Sequence, residues 1–500
     1  MFDFENISNK LKTYSIFHKW ETAILFLLFF IFRFASFYLF QEFVIQGILT
    51  ALILVLFVYM YFRDPRNAWY ILIGEILLAG SGQFLALADI SIRSILLISF
   101  LLLTCLHQIG EEYFYTKQRI SNKALAGIIL VFVTVGFYTL LGISNGHGIR
   151  AVRDAIPFAY LLLFFPAYYI CQKKEDNEHL IRMIIVFILG SAVFSLFTFF
   201  LFSSGMVELQ EPFYKWFRDV NLGKITDMGQ GFYRIVEPSH LLITPLILII
   251  SSLLMKDEKH HHMWRLLLFS ALIVFVLNFS RSYLLALIGG LVILFYKHDW
   301  KRWLKVSSYT VAQAFLIFIF LHFLASGASS LGLGFFEHRV SSIVQPETER
   351  SASIRMALLP EIFEKFQKRP ILGYGLGSTV TIDKFNNKTT TEFDWGYFEM
   401  LVEFGVLGTV ILLGALFFLV VALIKKIHHF REYQDLHVGL LAGLVALGII
   451  NITAPALFHI YGILYIVLTT VITLKTPEIF EELIIMIYRI FHKVEDKVDF

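Results

Sequence analysis

The chain has 500 residues, of which 57% are hydrophobic and only 16% charged, with a net charge of +3 and a mean hydropathy of +0.70. Soluble domains carry about 25% charged residues, so a soluble globular protein is excluded, and a net charge this small makes no case for nucleic acid. The apolar residues fall in blocks of about 20, the length that crosses hydrocarbon, and not in the alternating ten-residue segments of a membrane barrel.

In lipid each block must satisfy its own backbone, so each is expected to be a helix. Met1 to Glu21 is polar and lacks a small-residue cleavage site, so the first block is expected to be retained. The pattern predicts about fourteen spans, near residues 22–40, 43–61, 67–87, 91–108, 123–142, 155–171, 181–203, 238–255, 265–279, 282–297, 303–324, 397–424, 437–455 and 457–474. Cys105 and Cys171 fall at opposite bilayer depths, which argues against a disulfide or a Cys-ligated metal.

Orientation follows from basic residues on short loops. One side carries Arg63 and Arg66, Lys117 and Arg119, Lys173 and Lys174, Lys256 and Lys259, Lys297 to Lys305, and Lys425 to Arg431. The short loops opposite offer only Arg93, Arg150, Arg153 and Arg281. The first side is therefore cytoplasmic, both termini lie inside, and two long loops, Ser203 to Glu237 and Ala325 to Gly396, face outward. In the tail, Phe480, Leu483, Ile484, Ile487 and Phe491 form one stripe, which predicts an amphipathic helix on the inner surface. The organisation is thus residues 1–237, the first helices and first long loop; 238–474, the second half with the second long loop; and 475–500, the tail.

Three segments could carry chemistry. Arg281 lies between two 14-residue apolar stretches, Leu266 to Phe279 and Tyr283 to Tyr296. Each reaches about 21 Å, short of the roughly 30 Å core, so the Asn278–Ser282 turn is expected below the outer surface. A charge at that depth is a functional candidate, the bland alternative being snorkelling or a structural ion pair. Next, Arg234 and Glu237 precede Pro238, a residue suited to a first helical turn, where orphan N–H groups favour anions; the alternative is a capped helix with solvated charges. Lastly, Ser353 to Lys368 reads as two short helices leading into Arg369-Pro370-Ile371-Leu372-Gly373-Tyr374-Gly375-Leu376-Gly377-Ser378. Glycine at every second position permits a tight loop and close backbone approach to a ligand. The chain re-enters at Phe393 to Tyr397, followed by Glu399 and Glu403. Elsewhere, Arg33 and Glu75, midway along the first and third spans, are expected to pair with each other, and His322 and His459 to be structural.

Together these segments resemble the O-antigen ligase and polymerase superfamily, membrane glycosyltransferases acting on polyprenyl-linked glycans. The Asn278–Gly290 stretch is similar to that family's Ser-Arg-Gly turn and short helix. Arg355 through Gly377 resembles its arginine, amphipathic helix and glycine-alternating run, and Asp394 through Gly408 its re-entry motif. Arg234 to Ser239 looks like the Arg…Glu-Pro-Ser element of the polymerase side. The resemblance covers about residues 230–410. One departure is Asp394, nine positions before Glu403, where ligases carry histidine; Trp395 follows where asparagine is usual. That favours a repeat-unit polymerase over a ligase.

The resemblance implies an all-α, polytopic, GT-C-like membrane protein in a bacterial cytoplasmic membrane, with its active site facing the periplasm or exterior. A sugar hydroxyl would attack an anomeric carbon linked to a polyprenyl diphosphate, one lipid-linked oligosaccharide serving as donor and another as acceptor. Arg281, Arg234 and Arg355 would stabilise the departing diphosphate, since a guanidinium matches phosphate oxygens bidentately. Asp394 or Glu237 would take the hydroxyl proton, Asp394 ranking first. No cofactor or metal is expected, because no Asp-x-Asp pair stands in the outward loops. The bilayer, a chain-length regulator and a flippase are the expected partners. The alternatives are a ligase or protein O-oligosaccharyltransferase of the same superfamily, or a lipid-linked oligosaccharide flippase. A transporter usually shows internal repeats and broken helices at mid-membrane, whereas the polar weight here sits in two loops on one side.

Overall fold

The computed structural model describes residues 4–87, 90–110, 122–170, 174–256, 261–344, 350–382, 388–390 and 393–475. The predicted tail helix and Cys171 lie outside these residues, and Cys105 is a free, exposed thiol. The chain is overwhelmingly α-helical. The first part holds α1 (Phe4–Leu39), α2 (Phe43–Arg63), α3 (Pro65–Leu78), α4 (Ile92–Gly110), α5 (Asn122–Ser144), α6 (Ile149–Ala159), α7 (Phe164–Ile170), α8 (Lys174–Ser203) and the short α9 (Pro212–Asp219). After them come α10 (Ile243–Met255), α11 (His261–Asn278), α12 (Arg281–Leu294), α13 (Trp300–Ala325), α14 (Leu333–Val344), α15 (Arg350–Lys368), α16 (Gly396–His429), α17 (Gln434–Ile450) and α18 (Ile460–Lys475). Among the described residues, eight helical segments are long and apolar enough to cross a membrane, and five shorter apolar helices accompany them. The protein is a multi-pass, all-α membrane protein.

Among the described residues three antiparallel hairpins, which the helical periodicity gave no reason to expect, interrupt the helices: β1 (Ala86–Leu87) with β2 (Ile90–Ser91), β3 (Lys224–Asp227) with β4 (Tyr233–Val236), and β5 (Val380–Ile382) with β6 (Lys388–Thr390). The last two lie in the long loops. Those loops share one face of the molecule, because Phe232 of the first packs 5.9 Å from Phe335 of the second.

The third predicted span, 67–87, is not one helix. α3 stops at Leu78, and the chain returns through the β1–β2 hairpin to α4. A helix that ends inside the protein leaves carbonyl oxygens without partners, and two buried arginines supply the donors. Arg33 donates to the carbonyl of Leu78 and pairs with Glu237 at 3.3 Å. Arg93 pairs with Glu75 at 2.7 Å and donates to the carbonyls of Gly80 (2.6 Å) and Ser81 (3.0 Å). The expected Arg33–Glu75 pair is therefore not formed; each takes a different partner, because both arginines are drawn to the carbonyls at the end of α3. Arg93 is not an outward loop charge either, being almost wholly buried. Placing positive charge at a helix C-terminus also complements its dipole, and the Phe29 ring stacks 3.6 Å from the Arg33 guanidinium carbon.

The predicted span at 155–171 falls within Ile149–Ile170, one of the eight candidate spans, but it is not one regular α-helix. α6 contains Pro157, a 3-10 turn follows at Tyr160–Leu163, and Pro166 sits in α7. In the second half, α10, α12 and α17 pack closely together, while α16 runs past α17 and α5.

Candidate active site

Arg281 opens α12, one residue after its N-cap Ser280. α12 has 14 residues and is about 21 Å long, shorter than a bilayer core. The preceding turn is held tightly. Phe279 adopts φ 40°, a left-handed conformation unusual for a bulky side chain, so its surroundings must impose it. They do so through rings: Phe318 lies 5.2 Å from Phe279, Phe335 5.4 Å and Phe232 5.9 Å. His322 belongs to the same group, fully buried and stacked on Phe232, as a structural histidine should be.

The hairpin of the first long loop brackets this turn. Phe232 plugs the aromatic cluster beneath it, and two residues on, in strand β4, Arg234 donates from Nε to the carbonyl of Asn278 at 2.6 Å. Arg234 and Arg281 thus converge on one turn, and Arg234 reaches it from a strand and not from a helix N-terminus. Asn278 is buried, whereas Arg281 and Ser282 keep partial exposure on the long-loop face. Alongside, burial and the nearby carboxylates of Asp227 and Glu208 push the Tyr233 phenol above its usual range.

Glu237 departs from the site. It is the N-cap of a 3-10 turn, Pro238–Leu242, with Pro238 at its first position, and shares a reciprocal capping box with His240. Its carboxylate is buried against Arg33 and faces the core, so the structure makes it an internal counter-ion and removes it as a base.

The second group lies on α15 and the re-entry into α16. Arg355 faces Asp394 at 3.5 Å, both partly exposed. The Trp395 indole donates to the carbonyl of Arg355 at 2.9 Å. Below them Leu358, Ile362, Val380, Phe393 and Val402 form a separate small core that glues α15 to α16. Asp394 has φ 55°, a conformation aspartate tolerates better than most residues. α15 is a single helix over Arg350–Lys368, with Pro360 inside it, and not the two short helices expected.

The glycine loop does something other than approach a ligand. Its backbone enters a kink in α16, where Gly405 has φ 58° and ψ −172°. Tyr374 and Gly375 donate to the carbonyls of Val402 and Glu403, both at 2.9 Å, and Val406 donates back to Pro370 at 2.8 Å. A Cβ on Gly405 would stand 2.3 Å from the Ile371 carbonyl, and one on Gly377 would stand 2.5 Å from the Ala151 nitrogen of α6. The glycines exist because protein backbone presses on both sides. The residue that locks this arrangement is Glu403, which the sequence placed in the re-entry motif without a role: it is buried, and its Oε1 accepts from the N–H groups of Gly377 (2.9 Å) and Ser378 (3.2 Å). Its signal was the carboxylate two positions before Gly405. Lys365 completes the clamp, donating to the Thr379 carbonyl over the Tyr374 ring, and burial pulls its ammonium below the usual lysine range.

The family model described as O-antigen ligase matches residues 266–413. That segment contains Arg281, Arg355, the glycine loop, Asp394, Glu403 and Gly405. The chain carries an O-antigen ligase family domain. Over that segment the chain is similar to membrane enzymes of the O-antigen ligase and polymerase type, and members of that family are glycosyltransferase-like. No curated protein matches the chain. Arg234 and Glu237 lie upstream of the matched segment, and the β3–β4 hairpin brings Arg234 to the Asn278 turn inside it.

Proposed function

We propose that the O-antigen ligase family domain of this chain polymerises oligosaccharide repeat units carried on polyprenyl diphosphate, at the outer face of a bacterial cytoplasmic membrane. The observation that carries the reading is the convergence of Arg234 and Arg281 on the Asn278–Ser282 turn. Two guanidinium groups on a rigid, half-buried turn suit a diphosphate leaving group, which needs its charge neutralised more than it needs a proton. In the reaction an acceptor sugar hydroxyl attacks the anomeric carbon of the donor. A new C–O bond forms, the C–O bond to the diphosphate breaks, and the polyprenyl diphosphate leaves with both bonding electrons. The hydroxyl proton passes to Asp394, whose carboxylate Arg355 holds in place. Charge neutralisation by arginines gives the step a route that needs no metal.

Asp394 in the position where ligases carry histidine supports polymerisation. The description of the matching family favours a second reading, transfer to a lipid core. Purified protein given only lipid-linked repeat units, without nucleotide sugar, distinguishes them. A ladder of longer glycans is expected. Transfer to a lipid core or protein without elongation would replace polymerisation by ligation, and movement of the lipid across a bilayer at unchanged glycan length would refute an enzyme.

A further inference from the structure

Arg150 and Arg153 stand apart from the groups above. Of the four basic residues that the sequence places on short loops opposite the lysine-rich side, Arg93 is buried against Glu75 and Arg281 belongs to the candidate site. The other two lie on α6, exposed, and neither is ion-paired among the described residues. Their spacing of three puts them on one stripe of the helix. The neighbouring stripe is apolar and exposed as well: Ile149 at 65%, Val152 at 41% and Ile156 at 41%. Basic residues on a short outward loop run against the charge bias that orients membrane helices, so they call for a functional reason.

We propose that this double stripe is a second lipid-diphosphate site, which holds the diphosphate of the acceptor while its isoprenoid chain lies along Ile149, Val152 and Ile156. The assignment rests on the polymerase reading above. Such a reaction needs two lipid diphosphates bound together, because the acceptor keeps its own, and the Arg234–Arg281 turn serves only the one that leaves. Charge and shape fit this occupant: two forked cations beside an apolar strip match a diphosphate joined to a hydrocarbon tail, and the one carboxylate on that part of α6, Asp154, is engaged by the Gly377 backbone. Position assigns it to the acceptor. The α6 backbone at Arg150 and Ala151 is pressed against Gly377, Glu403 holds Gly377, and Glu403 lies on the helix that begins just after Asp394. The Asn145 side chain and His147, just before α6, bond the carbonyls of Tyr374 and Leu376 at 2.8 and 2.7 Å. The basic stripe is therefore fixed rigidly to the side of the site where the acceptor hydroxyl would be deprotonated.

The test uses the full chain in detergent micelles and a fluorescent short-chain polyprenyl diphosphate as probe. Two binding events per protein are expected, one abolished in R281A and the other weakened in the R150Q/R153Q double variant. The weakening should be about thirtyfold (about 2 kcal/mol), from about 1 kcal/mol per basic residue at a membrane surface. R150K/R153K should restore most of it, and inorganic pyrophosphate, lacking the tail, should compete poorly. In elongation assays the glutamine variant should raise the half-saturating concentration of a labelled one-repeat acceptor more than that of a multi-repeat donor. Unchanged probe binding in the glutamine variant would overturn the site, and an effect on the donor alone would overturn its assignment to the acceptor. Failure of the wild-type protein to elongate would overturn the polymerase reading, with the acceptor role, while the probe would still decide whether the stripe binds lipid diphosphate.

Discussion

Removing the Arg33 guanidinium leaves the Glu237 carboxylate in the protein interior with no cation beside it. Both side chains are at most 1% exposed and 3.3 Å apart, so Arg33→Met exposes a full desolvation penalty, about 3–5 kcal/mol. Part of that cost belongs to the Leu78 carbonyl, which loses its donor at the end of α3; an unpaired buried acceptor costs about 1–3 kcal/mol. Arg33→Met/Glu237→Leu removes the stranded charge but not the orphaned carbonyl. The double variant should therefore recover more than half of the loss and remain less stable than wild type. Glu237→Gln, which keeps the shape, should destabilise while leaving turnover per folded molecule within a few-fold. Reversible unfolding in mixed micelles gives the stabilities, and a lipid-linked elongation assay normalised to folded protein gives the rates. Glu237→Gln at wild-type stability with turnover down a hundredfold would refute the counter-ion role and return Glu237 to the catalytic group.

Arg281→Ala should insert and fold but lose on the order of 10²–10³ in rate, the usual cost of one preorganised charge-stabilising donor, with Arg281→Lys recovering only part because it lacks the fork; polymer length in cells at matched abundance measures it, and normal length would move the site. Gly405→Ala should unseat the glycine loop, because its Cβ would meet the Ile371 carbonyl at 2.3 Å in a left-handed backbone, and limited proteolysis of the second long loop should accelerate at least tenfold. In a background lacking Cys105 and Cys171, cysteines at Gly229 and Ser329 should react with an impermeant reagent from outside intact cells, and cysteines at Lys301 and Lys425 should not; the reverse pattern would overturn the orientation.

Much of the candidate site was visible in one dimension because its chemistry is local. A charge between two short apolar helices marks Arg281 wherever the helices pack, and glycine at positions 373, 375 and 377 announces a close approach to the backbone, expected from a ligand and made instead by protein. What crowds it is not local. The partners of that loop are Glu403 and the Arg150–Ala151 backbone, the latter more than 200 residues upstream, and no periodicity names them. Charge pairing failed for the same reason: Arg33 and Glu75 have compatible signs and depths, but the end of α3 offers carbonyls to both Arg33 and Arg93 and so divides the carboxylates between them.

Composition settles the solvent and the class of structure, because hydrocarbon admits only self-satisfied helices; lysine and arginine counts, being sums over short segments, set the expectation for the side on which the long loops lie. The tertiary structure alone decided which buried arginine meets which carboxylate, that Glu237 is a counter-ion, and that Arg234 reaches the Arg281 turn from a hairpin. Those outcomes depend on where helices end and which unpaired groups they expose there. That is a property of packing in three dimensions, which no stretch of the chain carries alone.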